Sequence, residues 1–231
     1  MKKIIFFLAL VSQTASATIW ITLADPRSNK IAIVGASSGY IGDYRTMVSV
    51  DNYGLAAVGS WYLGKKQGPL KDLLKRDELS AREKVEEFSR LINQDSMKRR
   101  VSLVTSHFDT ASEPGRGCHE ENHYCGKFES KLFTVTGGGL VGENVILAAR
   151  DELLKPEVHA LPIECQLYRG IKAIFESGGE KKTFNRLSYM VDDVTVVNDV
   201  KHELFFRMGK ETDLLKKFEA SLKNQGLNCA L

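Results

Sequence analysis

No run of apolar residues in the chain approaches the roughly 20 that a helix needs to cross a bilayer, so a membrane-embedded protein is not expected. A glycine-rich phosphate loop, a Gly-x-Ser-x-Gly elbow and a His-Glu-x-x-His helix are equally missing, which removes the commonest motif-borne chemistries. Charge of one sign is scarce too. The formal net charge of the 231 residues is +3, and Lys2 and Lys3 contribute two of those charges, leaving +1 for the rest. That is no field for nucleic acid, and no nucleic-acid partner is expected. Lys98, Arg99 and Arg100 form a short basic run that reads as a solvated boundary ahead of a strand. Internal repeats, low-complexity tracts and linkers are absent, so residues 18–231 read as one domain.

What is present is ordinary globular composition, 43% hydrophobic and 26% charged, which implies a folded chain. The first 17 residues stand apart. The basic pair Lys2 and Lys3, an apolar run over 4–11 and the small-residue triplet Ala15, Ser16 and Ala17 follow in the order of a bacterial secretory signal. Residues 1–17 are therefore expected to be a signal peptide, with a periplasmic or secreted mature protein that starts at Thr18.

Four cysteines, an even number, suit an oxidising compartment. Cys118 and Cys125 could close a small loop, and Cys165 could pair with Cys229 if the C-terminal helix folds back, but three connectivities remain open. His119 and His123 lie between Cys118 and Cys125, so a zinc site competes with a disulfide there. The spacing matches no standard finger, and the disulfide reading is preferred. His107, His159 and His202 are isolated and read as structural or exposed. No metal or cofactor is expected, and a homo-oligomer is left open.

Residues 18–24 and 31–36 read as a hairpin across Asp25-Pro26-Arg27-Ser28-Asn29, and 47–50 with 55–60 as a second across Asp51-Asn52-Tyr53-Gly54. Ile31 to Ala36 and Leu55 to Gly59 are apolar on both parities, so both faces of these strands must be covered. A sheet between a second sheet and a layer of helices meets that demand. Ser80 with Glu83 forms a capping box ahead of Val85, Phe88, Leu91 and Ile92 at helical spacing. Strands follow at 101–105 and 132–136. Helices then carry Val145, Ala149 and Leu153, and Ile163, Leu167, Ile171 and Ile174, the latter stopped at Gly178-Gly179. A strand over 186–197 and an amphipathic helix through Leu214, Leu215, Phe218 and Leu222 complete an α+β order with largely antiparallel sheets.

Cleavage after Ala17 would leave a threonine as the first residue of a buried strand. Its hydroxyl is a weak nucleophile until a base removes the proton, and the α-amine of the same residue, with an ordinary pKa of about 7.7 to 8.0, can act as that base.

The opening from Thr18 to Pro26, the stretch from Lys30 to Ser38, Gly54-Leu55-Ala56-Ala57-Val58, Gly68-Pro69 before Leu70 to Leu74, the run from Phe133 to Gly142, and Gly178-Gly179-Glu180 together resemble the family catalogued as domain of unknown function 1028. The likeness spans about residues 18–192. It departs at Gly59-Ser60, where members carry Gln-Ala, and at Thr136-Gly137-Gly138, where they carry Gln-Gly-Asn. The resemblance implies an N-terminal-nucleophile (Ntn) hydrolase fold, a four-layer α-β-β-α sandwich with the first residue at the edge of the central sheets. It also implies an amide or peptide-like small-molecule substrate attacked by Thr18. Gly59, Gly137 and Gly138 are then candidate oxyanion donors, because glycine admits close backbone approach. Asp25 and Ser37 are candidates to orient the amine, and initiating the turn is the preferred alternative for Asp25. The competing reading is a catalytically idle exported domain that uses the same sandwich to recognise cell-envelope material.

Overall fold

The computed structural model describes residues 18–38, 46–59, 67–91, 100–114, 124–179, 184–197, 199–206 and 211–229. The expected signal peptide, Cys118, His119 and His123 lie outside the described residues. The chain opens with the hairpin of β1 (Thr18–Asp25) and β2 (Lys30–Ser37), then β3 (Met47–Val50) and β4 (Gly54–Gly59). In the first turn the Asp25 carboxylate accepts hydrogen bonds from the Arg27 backbone N–H at 3.2 Å and from the Ser28 hydroxyl at 2.9 Å. Asn29 then takes a left-handed conformation, φ 54°, which asparagine tolerates better than most residues.

Helices α1 (Gln67–Leu74) and α2 (Ala81–Leu91) follow. The capping box at the start of α2 forms as expected, with the Ser80 backbone N–H donating to Glu83 at 2.9 Å and the Glu83 N–H to the Ser80 hydroxyl at 3.3 Å. Next come β5 (Arg100–Thr105), β6 (Thr110–Glu113), β7 (Tyr124–Glu129) and β8 (Phe133–Leu140), then α3 (Asn144–Leu153), α4 (Pro156–His159) and α5 (Ile163–Glu176). The order ends with β9 (Arg186–Asp193), β10 (Lys201–Phe206) and α6 (Glu211–Asn224). The expected strand over 186–197 stops at Asp193, because its carboxylate accepts bonds from the Thr195 N–H and hydroxyl and turns the chain.

The strands form a six-stranded sheet, β10-β9-β2-β1-β8-β7, and a four-stranded sheet, β3-β4-β5-β6, with every pairing antiparallel. All eight residues of β1 are buried, as doubly apolar strands require. Ile19, Ile21 and Leu23 point to one side and pack with α3, α5 and α6 through Val145, Ala149, Leu167, Ile171 and Phe218. Trp20 and Ala24 point to the other side and meet Leu55, Ala57 and Val104 of the four-stranded sheet. The outer face of that second sheet is covered by Leu70, Leu74, Val85 and Phe88 of α1 and α2. Helices thus cover both outer faces and the two sheets face each other, a mixed α+β architecture.

A disulfide joins Cys165 in α5 to Cys229 beyond α6 across 64 residues of sequence, which fastens the C-terminal segment to the core. Cys125 is also disulfide-bonded.

Candidate active site

The register of the hairpin fixes what surrounds Thr18. Counting back from the terminal pair Asp25 and Lys30, an antiparallel ladder sets Thr18 beside Ser37. On its other side Thr18 pairs with Gly138 of β8, Ser37 pairs with Arg186 of β9, and Gly138 pairs with Cys125 of β7. Side chains alternate along a strand, so Thr18 shares the face of Trp20 and looks toward the four-stranded sheet. The Thr18 and Ser37 hydroxyls are 3.0 Å apart in a hydrogen bond that either can donate. Both residues are buried, at 1% and 0% exposure.

The opposite sheet brings Gly59 and Arg100, themselves a register pair. A Cβ on Gly59 would lie 3.3 Å from the Thr18 methyl, 3.5 Å from the Arg100 Cβ and 2.9 Å from Trp20 Nε1. The missing side chain therefore lets the end of β4 close over Thr18. At Gly138 a Cβ would run into the Arg100 guanidinium and the Cys125 sulfur. Glycine there gives the guanidinium its place, with Nη2 3.8 Å from the Cys125 Sγ.

The expected site residues thus separate. Thr18, Ser37, Gly59 and Gly138 meet at one end of the intersheet space. Gly137 faces the helices, where a Cβ would lie 3.0 Å from Ile19 Cγ1. Gly137 and Gly138 are both paired on two sides, by β1 and β7, so ladder bonding competes for their N–H groups. Asp25 does not reach Thr18. It is the last residue of β1, and seven steps of extended chain at about 3.3 Å each put it some 23 Å away. Its carboxyl serves the turn instead. Burial opposes its ionisation, but hydrogen bonds from Arg27 and Ser28 and the Arg27 charge outweigh that and hold it below the ordinary carboxylate value.

Two residues of the site were not singled out from the sequence. Arg100, expected at a solvated boundary, is 5% exposed and opens β5. It shares parity with Ser102 and Val104, the intersheet face of β5, and that alternation is the signal that could have found it. Trp20, two residues beyond Thr18 on the same face, is fully buried with its ring over Gly35, and its Nε1–H has no hydrogen-bond partner. A buried orphan donor is uncommon in a folded protein. Deeper between the sheets, a hydroxyl chain joins Thr22 to Thr134 at 2.6 Å and Thr134 to Ser102 at 3.1 Å.

The other end of the intersheet space is acidic. Asp192 shares the β9 face of Met190 and pairs with Ile31. It is 1% exposed, neither carboxylate oxygen has a hydrogen-bond partner, and burial, with the charges of Asp51, Asp199 and Asp193, pushes its pKa up to about 6. The histidines outside the Cys118 to Cys125 stretch lie away from Thr18. His107 is 3.6 Å from Asp77, His159 ends α4, and His202 Nε2 is 2.9 Å from the Ser188 hydroxyl. Among the described residues no group of three or more His, Cys, Asp or Glu side chains is disposed to hold a metal ion, and no helix is long and apolar enough to cross a membrane.

No family model matches the chain, and no curated protein does. Among solved structures, the fold is similar to that of a protein from Silicibacter pomeroyi whose crystal structure is described as family-model DUF1028. The TM-score is 0.71 at 15% identity over 92% of this chain and 90% of that one.

Proposed function

We propose that this chain belongs to the DUF1028 family and, after export and removal of residues 1–17, acts as an Ntn-type amidohydrolase with Thr18 as nucleophile. The observation that carries the proposal is the placement of Thr18: the first residue of a central strand, its hydroxyl 3.0 Å from Ser37, enclosed by Gly59, Gly138 and Arg100. The layer order of helices, two facing sheets and helices is the one an Ntn hydrolase requires. The fold shared with a DUF1028 protein supports the family. The Cys165–Cys229 disulfide supports an oxidising, extracytoplasmic setting.

In the intact chain Thr18 follows Ala17, so its nitrogen is an amide and cannot act as a base. Cleavage after Ala17 creates the amine. Thr18 Oγ then bonds to the substrate carbonyl carbon while its proton passes to the α-amine. The resulting oxyanion requires preorganised donors, and the Trp20 Nε1–H, which has no hydrogen-bond partner and meets Thr18 at Gly59, is a candidate. Collapse breaks the C–N bond, the amine leaving group takes the proton, and water hydrolyses the Thr18 ester with the α-amine again as base. Ser37 holds the hydroxyl in place.

N-terminal sequencing and intact mass of the exported protein should give a start at Thr18. In that form an electrophile that captures terminal hydroxyls should label Thr18, and Thr18→Ala should fold normally with labelling lost. A start at any other residue removes the base and refutes the mechanism. Correct processing without labelling leaves the binding-domain reading.

A further inference from the structure

We propose that Trp20 is a catalytic residue of the Thr18 site: its indole N–H receives the oxygen of a neutral amide carbonyl as that oxygen gains charge. The inference rests on the reading of Thr18 as nucleophile and adds which side chain holds the reacting oxygen. Trp20 follows Thr18 by two residues, so both side chains leave β1 on the intersheet face. Nε1 and the Thr18 methyl lie 2.9 Å and 3.3 Å from one point, the place that a Gly59 Cβ would take. An acyl group bonded to the Thr18 hydroxyl therefore lies within reach of the indole N–H.

The donor is fixed before any substrate arrives. A Cβ on Gly35, the register partner of Trp20, would run into ring carbons Cε3 and Cζ3, so the six-membered ring rests on bare β2 backbone. The opposite ring edge carries Nε1 to β4 at Gly59. Leu55 and Ala57 pack in the same cluster and the side chain is fully buried, which leaves the ring no room to turn away. Nε1–H nonetheless has no hydrogen-bond partner. An unsatisfied buried donor lowers stability, and phenylalanine would fill the core without one. Beside a nucleophile, a preorganised donor stabilises an oxyanion because nothing has to reorganise when the charge develops. As Thr18 Oγ bonds to the carbonyl carbon, the C=O π pair moves onto oxygen and the hydroxyl proton passes to the α-amine. The N–H then faces a charged acceptor, and such bonds are roughly twice as strong as neutral ones. Collapse returns the pair to carbon and breaks the C–N bond, with the proton leaving on the amine. The gain is largest in the transition state, so it falls on the rate of acylation rather than on binding.

The test uses the processed protein and two probes. A β-lactone acylates Thr18 through a carbonyl oxyanion, whereas a vinyl sulfone takes the same hydroxyl onto an alkene carbon and places the new charge on carbon. Trp20→Phe keeps an aromatic ring over Gly35 and removes the N–H. It should slow saturated lactone acylation about 100-fold, the effect of losing one oxyanion donor. The lactone concentration that gives half the maximal rate, and the vinyl sulfone rate, should stay at parental values. A second measurement needs no change at Trp20. The chain has two tryptophans, Trp20 and Trp61, whose indole N–H resonances are told apart by Trp61→Phe. A boronic acid captured by Thr18 Oγ sets an oxygen where the oxyanion forms, and the Trp20 resonance should move downfield. Parental lactone rates in Trp20→Phe, equal slowing of both probes, or an unmoved Trp20 resonance in boronate-saturated protein overturns the proposal. If neither probe nor the boronic acid engages protein that starts at Thr18, the nucleophile itself is refuted and the proposal falls with it.

Discussion

Replacing Asp192 by asparagine should stabilise the protein at neutral pH and do so less as the pH falls. The carboxyl is 1% exposed with both oxygens unpartnered, and its pKa is pushed up to about 6 from 3.8. A native pKa above the unfolded one means that the folded state holds the proton more tightly. The stabilisation from that proton is complete below about pH 3.8 and lost as the pH rises through 6. The difference of about 2 pH units corresponds to roughly 3 kcal/mol at 1.36 kcal/mol per unit. Asparagine has nearly the same shape and no charge to desolvate. Its own buried amide carries a cost that does not vary with pH, so the informative quantity is the difference between the two proteins' stabilities at pH 7 minus that at pH 3.5. Other carboxylates titrate in both proteins and cancel. Urea titrations with the disulfides intact should show a relative gain for Asp192→Asn of about 3 kcal/mol across that range, or roughly 6 to 12 °C in Tm for a chain of this size. Stability curves for the two proteins that stay parallel from pH 3.5 to 7 would refute a buried, uncompensated carboxylate at this position.

Two further changes test the fold around the site. Gly138→Ala places a methyl against the Arg100 guanidinium and the Cys125 sulfur, and should cost about 1 to 3 kcal/mol by overpacking; an unchanged urea midpoint would show that the guanidinium does not lie over β8. Replacing both Cys165 and Cys229 by alanine releases a loop of 64 residues, worth about 4 kcal/mol on loop-closure entropy, and the loss should appear in oxidising buffer and shrink when the parent protein is reduced.

The parts of the fold that could be read from sequence are those with two covered faces. β1, β2 and β4 are apolar on both parities because helices lie on one side and a sheet on the other, and α2, α5 and α6 show helical spacing because each buries one stripe. The strands that escaped notice, β6, β7 and β10, are edge strands of the two sheets. β7 has no buried residue and carries Lys127 and Glu129, so neither alternation nor apolar content marks it. Ser37 was within reach because a hairpin closing at Asp25 and Lys30 pairs it with Thr18 by counting. Of the two roles open to Asp25, the turn holds and orienting the amine does not, because an eight-residue strand separates it from Thr18. Arg100 was hidden by Lys98 and Arg99, since a run of three cations resembles a wet boundary whether or not its last member turns inward.

Three glycines explain how a polar group of this size fits between sheets that elsewhere meet through Trp20, Leu55, Ala57 and Val104. Gly35 lies under the Trp20 ring, Gly59 faces Thr18 and the indole nitrogen, and Gly138 lies under the Arg100 guanidinium. Each stands on the intersheet face of its strand, and at each a Cβ would occupy space that a site side chain now fills. In a strand that serves packing alone, alanine or valine would be favoured there, because glycine costs backbone entropy and buries nothing. The sandwich gives up that stability on three separate strands: Gly59 lies against Thr18, Gly138 is its register partner and Gly35 is the register partner of Trp20. The space left at Gly59 and Gly138 is what the proposed site would need to hold a hydroxyl, an indole N–H and a guanidinium together, while Gly35 makes room for the Trp20 ring.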